Sequence, residues 1–257
     1  MRVFDETLKP RLQNGETLFG QFVQIPSPAL VEIAGYTGFD LVVIDNEHGP
    51  AGIETTEHLI RAARCGGVPA VVRLTELNEK EILRTLDAGA AGIMVPMVNT
   101  VEEAERAVRA AKYPPRGTRG AATSTRAGGY TVFGGLGHLQ ASDASTLVIL
   151  QIESVEALQN LDAIARVAGV DALFIGPSDL SASMGYPTNP GHPAVQAAMI
   201  DAVNRIRAAG IQAGLMVSSV ADYRVWQERG ARLITMGGTN IITAAMQSLT
   251  RAIKEQQ

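Results

Sequence analysis

Cysteine and lysine are both scarce in this 257-residue chain. Cysteine occurs once, at Cys65, so no internal disulfide can form and nothing points to secretion. Lysine occurs four times, at Lys9, Lys80, Lys112 and Lys254, which limits where amine chemistry can sit. Aromatic residues make up only 5%, fewer than a β-sandwich core usually draws on. No apolar stretch approaches the ~20 residues that span a bilayer. The segment from Met1 to Gly15 is charged and lacks the apolar centre of a secretory signal. A net charge of −4 gives no reason to expect nucleic acid as a partner. Together these absences predict a cytoplasmic protein that binds neither nucleic acid nor membrane.

What the chain does hold is aliphatic residues and 26 glycines, a composition suited to a parallel α/β protein. Eight short aliphatic runs recur: Leu18 to Ile25, Leu41 to Ile44, Ala70 to Leu74, Gly92 to Pro96, Leu147 to Ile152, Ala172 to Ile175, Ala213 to Val217 and Leu233 to Met236. Amphipathic segments of helical length lie between them, such as Glu54 to Arg64, Glu79 to Leu86, Val101 to Ala111, Val155 to Val167, Val195 to Ala209 and Val220 to Arg229. Gly66, Gly89, Gly169, Gly210 and Gly230 follow five of these segments, as helix C-caps do before a return to a strand. Eight β/α units in this length predict one (β/α)8 TIM barrel over residues 1–257, with a doubly wound open sheet as the competing arrangement. Pro114 to Ser145 is an unusually long connection, rich in Gly, Thr and Arg, and reads as a binding or lid loop with room for an extra helix.

Barrel chemistry sits at the C-terminal ends of the strands. That rule gathers Asp45, Glu47 and His48 after the second run, Arg73 after the third and Gln151 with Glu153 after the fifth. It adds Gly176-Pro177-Ser178-Asp179 after the sixth, Met216 in the seventh as a substrate contact, and Gly237-Gly238 after the eighth. His48 suits proton transfer near neutral pH. Glu153 and Asp179 are two carboxylates on neighbouring strands, the donor type for Mg²⁺, Mn²⁺ or Co²⁺, although Asp179 also suits a cap of the short helix Leu180 to Met184. Arg73 ends a buried strand and needs an anionic partner. That partner is either Asp45 or Glu47, or a developing oxyanion of the substrate. None of the four lysines falls at a predicted strand end, so a Schiff-base route is disfavoured. His58 reads as a partly buried helix residue, His192 as a turn residue and His138 as a possible lid residue; the stripe with Met246, Leu249 and Ile253 reads as core or subunit contact.

These residues resemble the metal-dependent (class II) pyruvate aldolases of the 4-hydroxy-2-oxoheptanedioate and 2-dehydro-3-deoxyglucarate aldolase family. The resemblance covers essentially the whole chain. It rests on Phe39-Asp40, Ile44-Asp45-Asn46-Glu47-His48, Val71-Val72-Arg73 and Val95-Pro96-Met97-Val98, then on Tyr113-Pro114-Pro115-Arg116-Gly117-Thr118-Arg119-Gly120, Gln151-Ile152-Glu153 and Phe174-Ile175-Gly176-Pro177-Ser178-Asp179-Leu180-Ser181. It implies a divalent metal on Glu153 and Asp179, and pyruvate chelating it with its carboxylate on the Ser178 and Asp179 amides. Arg73 then meets the keto oxygen, Gln151 supports the metal or its water, and His48 moves a proton through a water on the metal. The family pairs that histidine with an aspartate matching Asp87, which ends a helix and so must come from a neighbouring subunit or an irregular turn; Asp45 is the other candidate. Hexamers with the C-terminal helix packed on a neighbour are also implied. One segment, Ala127 to Gly135, departs from many members, which carry a bulkier tryptophan-containing stretch there. The resemblance therefore fixes pyruvate and leaves the aldehyde open.

The expected reaction is reversible retro-aldol cleavage of a 4-hydroxy-2-oxo acid to pyruvate and an aldehyde, through a metal-stabilised enolate. Three alternatives remain open: a citryl- or malyl-thioester lyase using Arg116, Arg119 and Arg126 for coenzyme A, a phosphate-binding barrel isomerase using Gly237-Gly238, and a catalytically silent binding barrel.

Overall fold

The computed structural model describes residues 3–255. Eight strands form a closed parallel barrel, each paired to the next and the last to the first: β1 (Leu18–Val23), β2 (Leu41–Asp45), β3 (Ala70–Arg73), β4 (Gly92–Val95), β5 (Leu147–Ile152), β6 (Ala172–Ile175), β7 (Gln212–Val217) and β8 (Leu233–Gly237). Closure excludes the open doubly wound sheet. Helices connect them: α1 (Leu8–Gln13), α2 (Pro28–Tyr36), α3 (Ile53–Cys65), α4 (Glu79–Asp87), α5 (Val101–Ala111), α6 (Leu136–Ser145), α7 (Val155–Ile164), α8 (Pro177–Ser183), α9 (Pro193–Ala208), α10 (Val220–Glu228) and α11 (Gly238–Lys254).

The strands read as continuous aliphatic runs because both their faces are covered. On β2, Leu41 and Val43 join the cluster inside the barrel, while Val42 and Ile44 join the shell between barrel and helices. Phe22 of β1 and Phe174 of β6 face each other inside the barrel, ring centroids 6.0 Å apart. Leu8 and Leu12 of α1 belong to the same inner cluster. Side-chain N-caps start several helices just after their strands, including Asn78 on α4, Thr100 on α5, Ser154 on α7 and Ser219 on α10. The caps fix where each helix begins and so hold the strand-end loops short.

Three local expectations change. Gly66 ends α3 with ordinary helical geometry, and Gly67 takes the left-handed conformation at φ 71°. The long connection does hold an extra helix, α6, after an irregular part, as its length allowed. His138, read as a possible lid residue, is buried in α6 with its ring edge-on to Phe4, and His58 is exposed on α3 rather than partly buried. His192 is a turn residue as expected, and it caps α9 by accepting from Ala194 N–H at 3.2 Å. Among the described residues no helix is long and apolar enough to cross a membrane.

Candidate active site at the barrel mouth

One cavity of about 240 Å³ at the strand C-termini is lined by Asp45, His48, Arg73, Gln151, Glu153, Ser178, Asp179 and Met216, together with Phe22, Gln24 and Phe174. Eight of the nine expected site residues therefore converge on it. The two rings supply an apolar floor that was not anticipated. Phe22 and Phe174 belong to the inner cluster, while their strand neighbours Val23, Leu173 and Ile175 join the outer shell. Gln24, just past β1, gave no sequence signal.

Register explains the charged core of this cavity. Asp45 and Arg73 are direct partners on β2 and β3. Arg73 Nε donates to Asp45 Oδ1 at 2.9 Å and Nη2 donates to Oδ2 at 2.7 Å, a bidentate fork in which both residues are buried. Glu47 Oε2 lies 2.9 Å from Arg73 Nη1, a charge contact without good hydrogen-bond alignment. The guanidinium lies 5.0 Å above the Phe22 ring. The salt-bridge reading of Arg73 is thus realised, and it leaves further N–H groups of a five-donor guanidinium on a cavity-lining residue.

Asp45 also accepts from the main-chain N–H groups of Glu47 and His48, at 3.2 and 3.1 Å, so it shapes the turn that presents His48. The carboxylate near the His48 ring is Glu47, 3.9 Å from Nε2. The His48 side chain is 62% exposed, open to solvent and to any substrate above the cavity. Burial pushes the Glu47 carboxyl above its ordinary range, opposed mainly by Arg73. The sequence offers Glu47 only as a salt-bridge partner of Arg73, and that contact is present. The structure puts it between Arg73 and His48.

Glu153 is the most constrained group. Its Oε1 accepts from Met97 N–H at 2.7 Å and its Oε2 accepts from Gln151 Nε2 at 2.9 Å. A Cβ at Gly176 would come within 2.4 Å of Oε2, so only glycine fits at the end of β6. Burial pushes this carboxyl up to about 7; Met97 N–H and Arg73 oppose the rise, while Glu47 and Asp179 reinforce it. Gln151 Oε1 is buried with no hydrogen-bond partner. Asp179 is not an N-cap: Gly176 holds that position in α8, without a side-chain bond, and Asp179 sits exposed in the first turn. Pro177 has no N–H, which leaves the Ser178 and Asp179 amides as unbonded first-turn donors of α8.

Asp87 is the expected residue that this chain does not bring to the cavity. It ends α4, and barrel helices run back toward the opposite rim. Its Oδ1 accepts from Arg119 Nη2 at 2.8 Å, in a separate groove lined also by Arg61, Arg84, Arg126 and Tyr130. Of the three arginines read as a coenzyme surface, Arg116 is exposed, while Arg119 and Arg126 are buried, with Arg119 bound to Asp87 and Arg126 Nη1 donating to Ala88 O. Gly238 has a packing reason as well, because a Cβ there would lie 2.7 Å from Phe22 O. None of the four lysines lines the mouth.

The family model for HpcH/HpaI aldolase/citrate lyase matches residues 18–244. The chain belongs to this family. It is 38% identical over 249 residues to a hydroxypyruvate/pyruvate aldolase of Pseudomonas aeruginosa, covering 96% of this chain and 92% of that one. It is 37% identical over 251 residues to a 2-keto-3-deoxy-L-rhamnonate aldolase of Salmonella gallinarum, covering 97% and 93%. The crystal structure of an HpcH/HpaI aldolase/citrate lyase family protein from Burkholderia cenocepacia superposes with a TM-score of 0.93 at 32% identity, over 97% of this chain and all of that one. These aldolases are carbon–carbon lyases, and the HpcH/HpaI aldolases are in general divalent-metal dependent.

The donor set of the mouth fits such a cation. Two carboxylates of one cavity, one of them buried and starved of counter-charge, match the oxygen preference of Mg²⁺, Mn²⁺ or Co²⁺. Among the described residues no cluster of three or more His, Cys, Asp or Glu side chains forms, so the protein would supply few ligands and leave the others to water and substrate.

Proposed function

We propose that this chain is a class II pyruvate aldolase that cleaves a 4-hydroxy-2-oxo acid to pyruvate and an aldehyde, and runs the reverse addition. The observation that carries the reading is the single cavity holding Arg73, His48, Glu153 and Asp179 over an apolar floor. Glu153 and Asp179 would hold the divalent cation, which supplies charge stabilisation for the enolate left by cleavage. The Ser178 and Asp179 amides receive the substrate carboxylate. Arg73, clamped by Asp45 and Glu47, presents its remaining N–H groups to the C2 oxygen, where negative charge develops. His48 takes the proton from the C4 hydroxyl, with Glu47 beside its ring and Asp45 holding its main chain. Phe22, Phe174 and Met216 surround the pyruvyl carbons and exclude water. Asp87 has a role only if a neighbouring subunit delivers it. We expect a closed homo-oligomer, a hexamer by family resemblance, with α11 packed on a neighbour, working in the cytoplasm.

The acceptor end has a place of its own. A second cavity of about 560 Å³ shares Pro177, Ser178 and Met216 with the first, and is otherwise lined by residues such as Gln196, Ser218, Asp222 and Asn240, with no cationic side chain. It suits an uncharged, hydroxylated aldehyde. Glyceraldehyde should outcompete succinic semialdehyde as acceptor, and a preference for the anionic aldehyde would remove this cavity from consideration.

The deciding experiment is exchange of pyruvate methyl protons in D₂O, with and without EDTA. It tests enolisation before any aldehyde is known. Exchange that stops with EDTA and returns with Mn²⁺ supports the reading. Exchange indifferent to chelation rejects the metal, and no exchange under any condition rejects the aldolase.

A further inference from the structure

Met97 follows the Pro96 that ends the β4 motif, and its backbone is left-handed, with φ 52°. An unbranched non-glycine residue rarely adopts that conformation, which is strained for any side chain with a Cβ. Its side chain is half exposed, so packing does not hold it there. What the conformation achieves is to aim Met97 N–H at Glu153 Oε1, 2.7 Å away.

Asn99 holds the peptide in place. Its Nδ2 donates to Met97 O at 3.1 Å, and its Oδ1 accepts from Ser154 Oγ, the residue directly after Glu153. Its main chain is bonded too: Asn99 N–H donates to Glu103 Oε2 at 2.7 Å, and Asn99 O accepts from Asn160 Nδ2 at 2.9 Å. Glu153, Met97, Asn99 and Ser154 thus form a closed ring of bonds that ties the loop after β4 to the loop after β5. Asn99 is not among the residues lining the cavity.

We propose that Asn99 is a positioning residue: it pins the left-handed Met97 peptide so that its N–H fixes the Glu153 carboxylate in the orientation that receives the cation. This rests on Glu153 being a ligand. A partner one step behind a ligand typically carries a 10–100-fold effect on metal affinity.

The test is Mn²⁺ titration calorimetry on EDTA-stripped protein, with melting temperature recorded for each variant. Asn99→Ala should weaken Mn²⁺ binding about 10-fold or more while the barrel stays folded. Asn99→Asp keeps the acceptor for Ser154 and both main-chain bonds but loses the donor to Met97 O, and should show a similar loss; it stands in if the alanine variant does not fold. The Asn99→Ala, Met97→Gly double variant should recover part of the affinity, because glycine adopts a left-handed φ without strain. Thr100→Ala breaks the cap of α5 next door and should lower the melting temperature without touching Mn²⁺ affinity. Wild-type affinity in Asn99→Asp, or a loss that glycine at 97 does not repair, overturns the proposal. Glu153→Ala separates the levels: unchanged Mn²⁺ binding in that variant rejects the ligand assignment itself, and the proposal with it.

Discussion

At the scale of residues, the mouth is governed by how few counter-charges its carboxylates have. Arg73 serves Asp45 and Glu47 at once, and Glu153 has only neutral donors on its oxygens. Arg73→Lys tests the shared arginine. A lysine keeps the charge but not the fork, so one Asp45 oxygen loses its partner and stability should drop by ~1–3 kcal/mol. If Arg73 also meets the enolate oxygen, pyruvate exchange per folded molecule should fall by about 10²-fold or more. Unchanged exchange with a lowered melting temperature would reduce Arg73 to a structural role. Glu153 makes a prediction in pH. Its carboxyl is pushed up to about 7 from an ordinary 4.5, chiefly by burial. Between those values the folded protein keeps a proton that the unfolded chain releases, so metal-free stability must decline as pH rises through the window. Glu47, raised by the same cause, adds to the slope. Melting temperatures of EDTA-stripped protein from pH 4.5 to 8 should show this decline, Glu153→Gln should flatten it, and Mn²⁺ should restore stability at the alkaline end. A flat wild-type profile would contradict the burial argument.

At the scale of elements, the strands were legible because a barrel strand is apolar on both faces and short. Leu147–Ile152 and Ala172–Ile175 match their predicted bounds, and the others differ by one or two residues at an end. The rim residues were legible for a related reason: a charge at the end of an aliphatic run has only the strand mouth to occupy. What stayed hidden depends on long-range packing. Helix α2 begins at Pro28 with a weakly amphipathic sequence, and α6 has almost no periodicity, so neither announces itself. The brace from Met97 through Asn99 is equally silent, since an Asn in a loop has many local uses. Gly176 lies between these cases. It was read as part of a strand-end motif, and the structure shows why no side chain fits there. Gly176→Ala would push a methyl to within 2.4 Å of Glu153 Oε2. Mn²⁺ affinity should fall by about tenfold or more, with little change in circular dichroism. Retained affinity would mean that Glu153 is free to move and not held for a ligand.

At the scale of the whole molecule, two features point beyond a single chain. Helix α11 leaves Met246, Leu249 and Ile253 more than half exposed along one stripe, an apolar face that a lone barrel does not cover. Replacing Leu249 with Glu should shift the sedimentation profile toward smaller species if that face meets a neighbour. The lysines are equally global in their placement. Lys9 pairs with Asp171, Lys112 donates to the carbonyls of Asp143 and Thr146, and the other two lie on α4 and α11, so borohydride with pyruvate should leave no covalent adduct. Asp87 poses the last question. In its own chain it pairs with Arg119, away from His48. A neighbour's cavity is the one place where it can act on the chemistry, and subunit mixing distinguishes the two roles. His48→Ala and Asp87→Asn proteins should each be nearly inactive alone if Asp87 serves in trans. Unfolded together and refolded as mixed oligomers, they should regain activity, because in a symmetric assembly about a quarter of the sites pair an intact His48 with an intact Asp87 from next door. If Asp87 only braces Arg119, the Asp87→Asn protein keeps its exchange activity, its melting temperature falls, and mixing adds nothing beyond the sum of the parts.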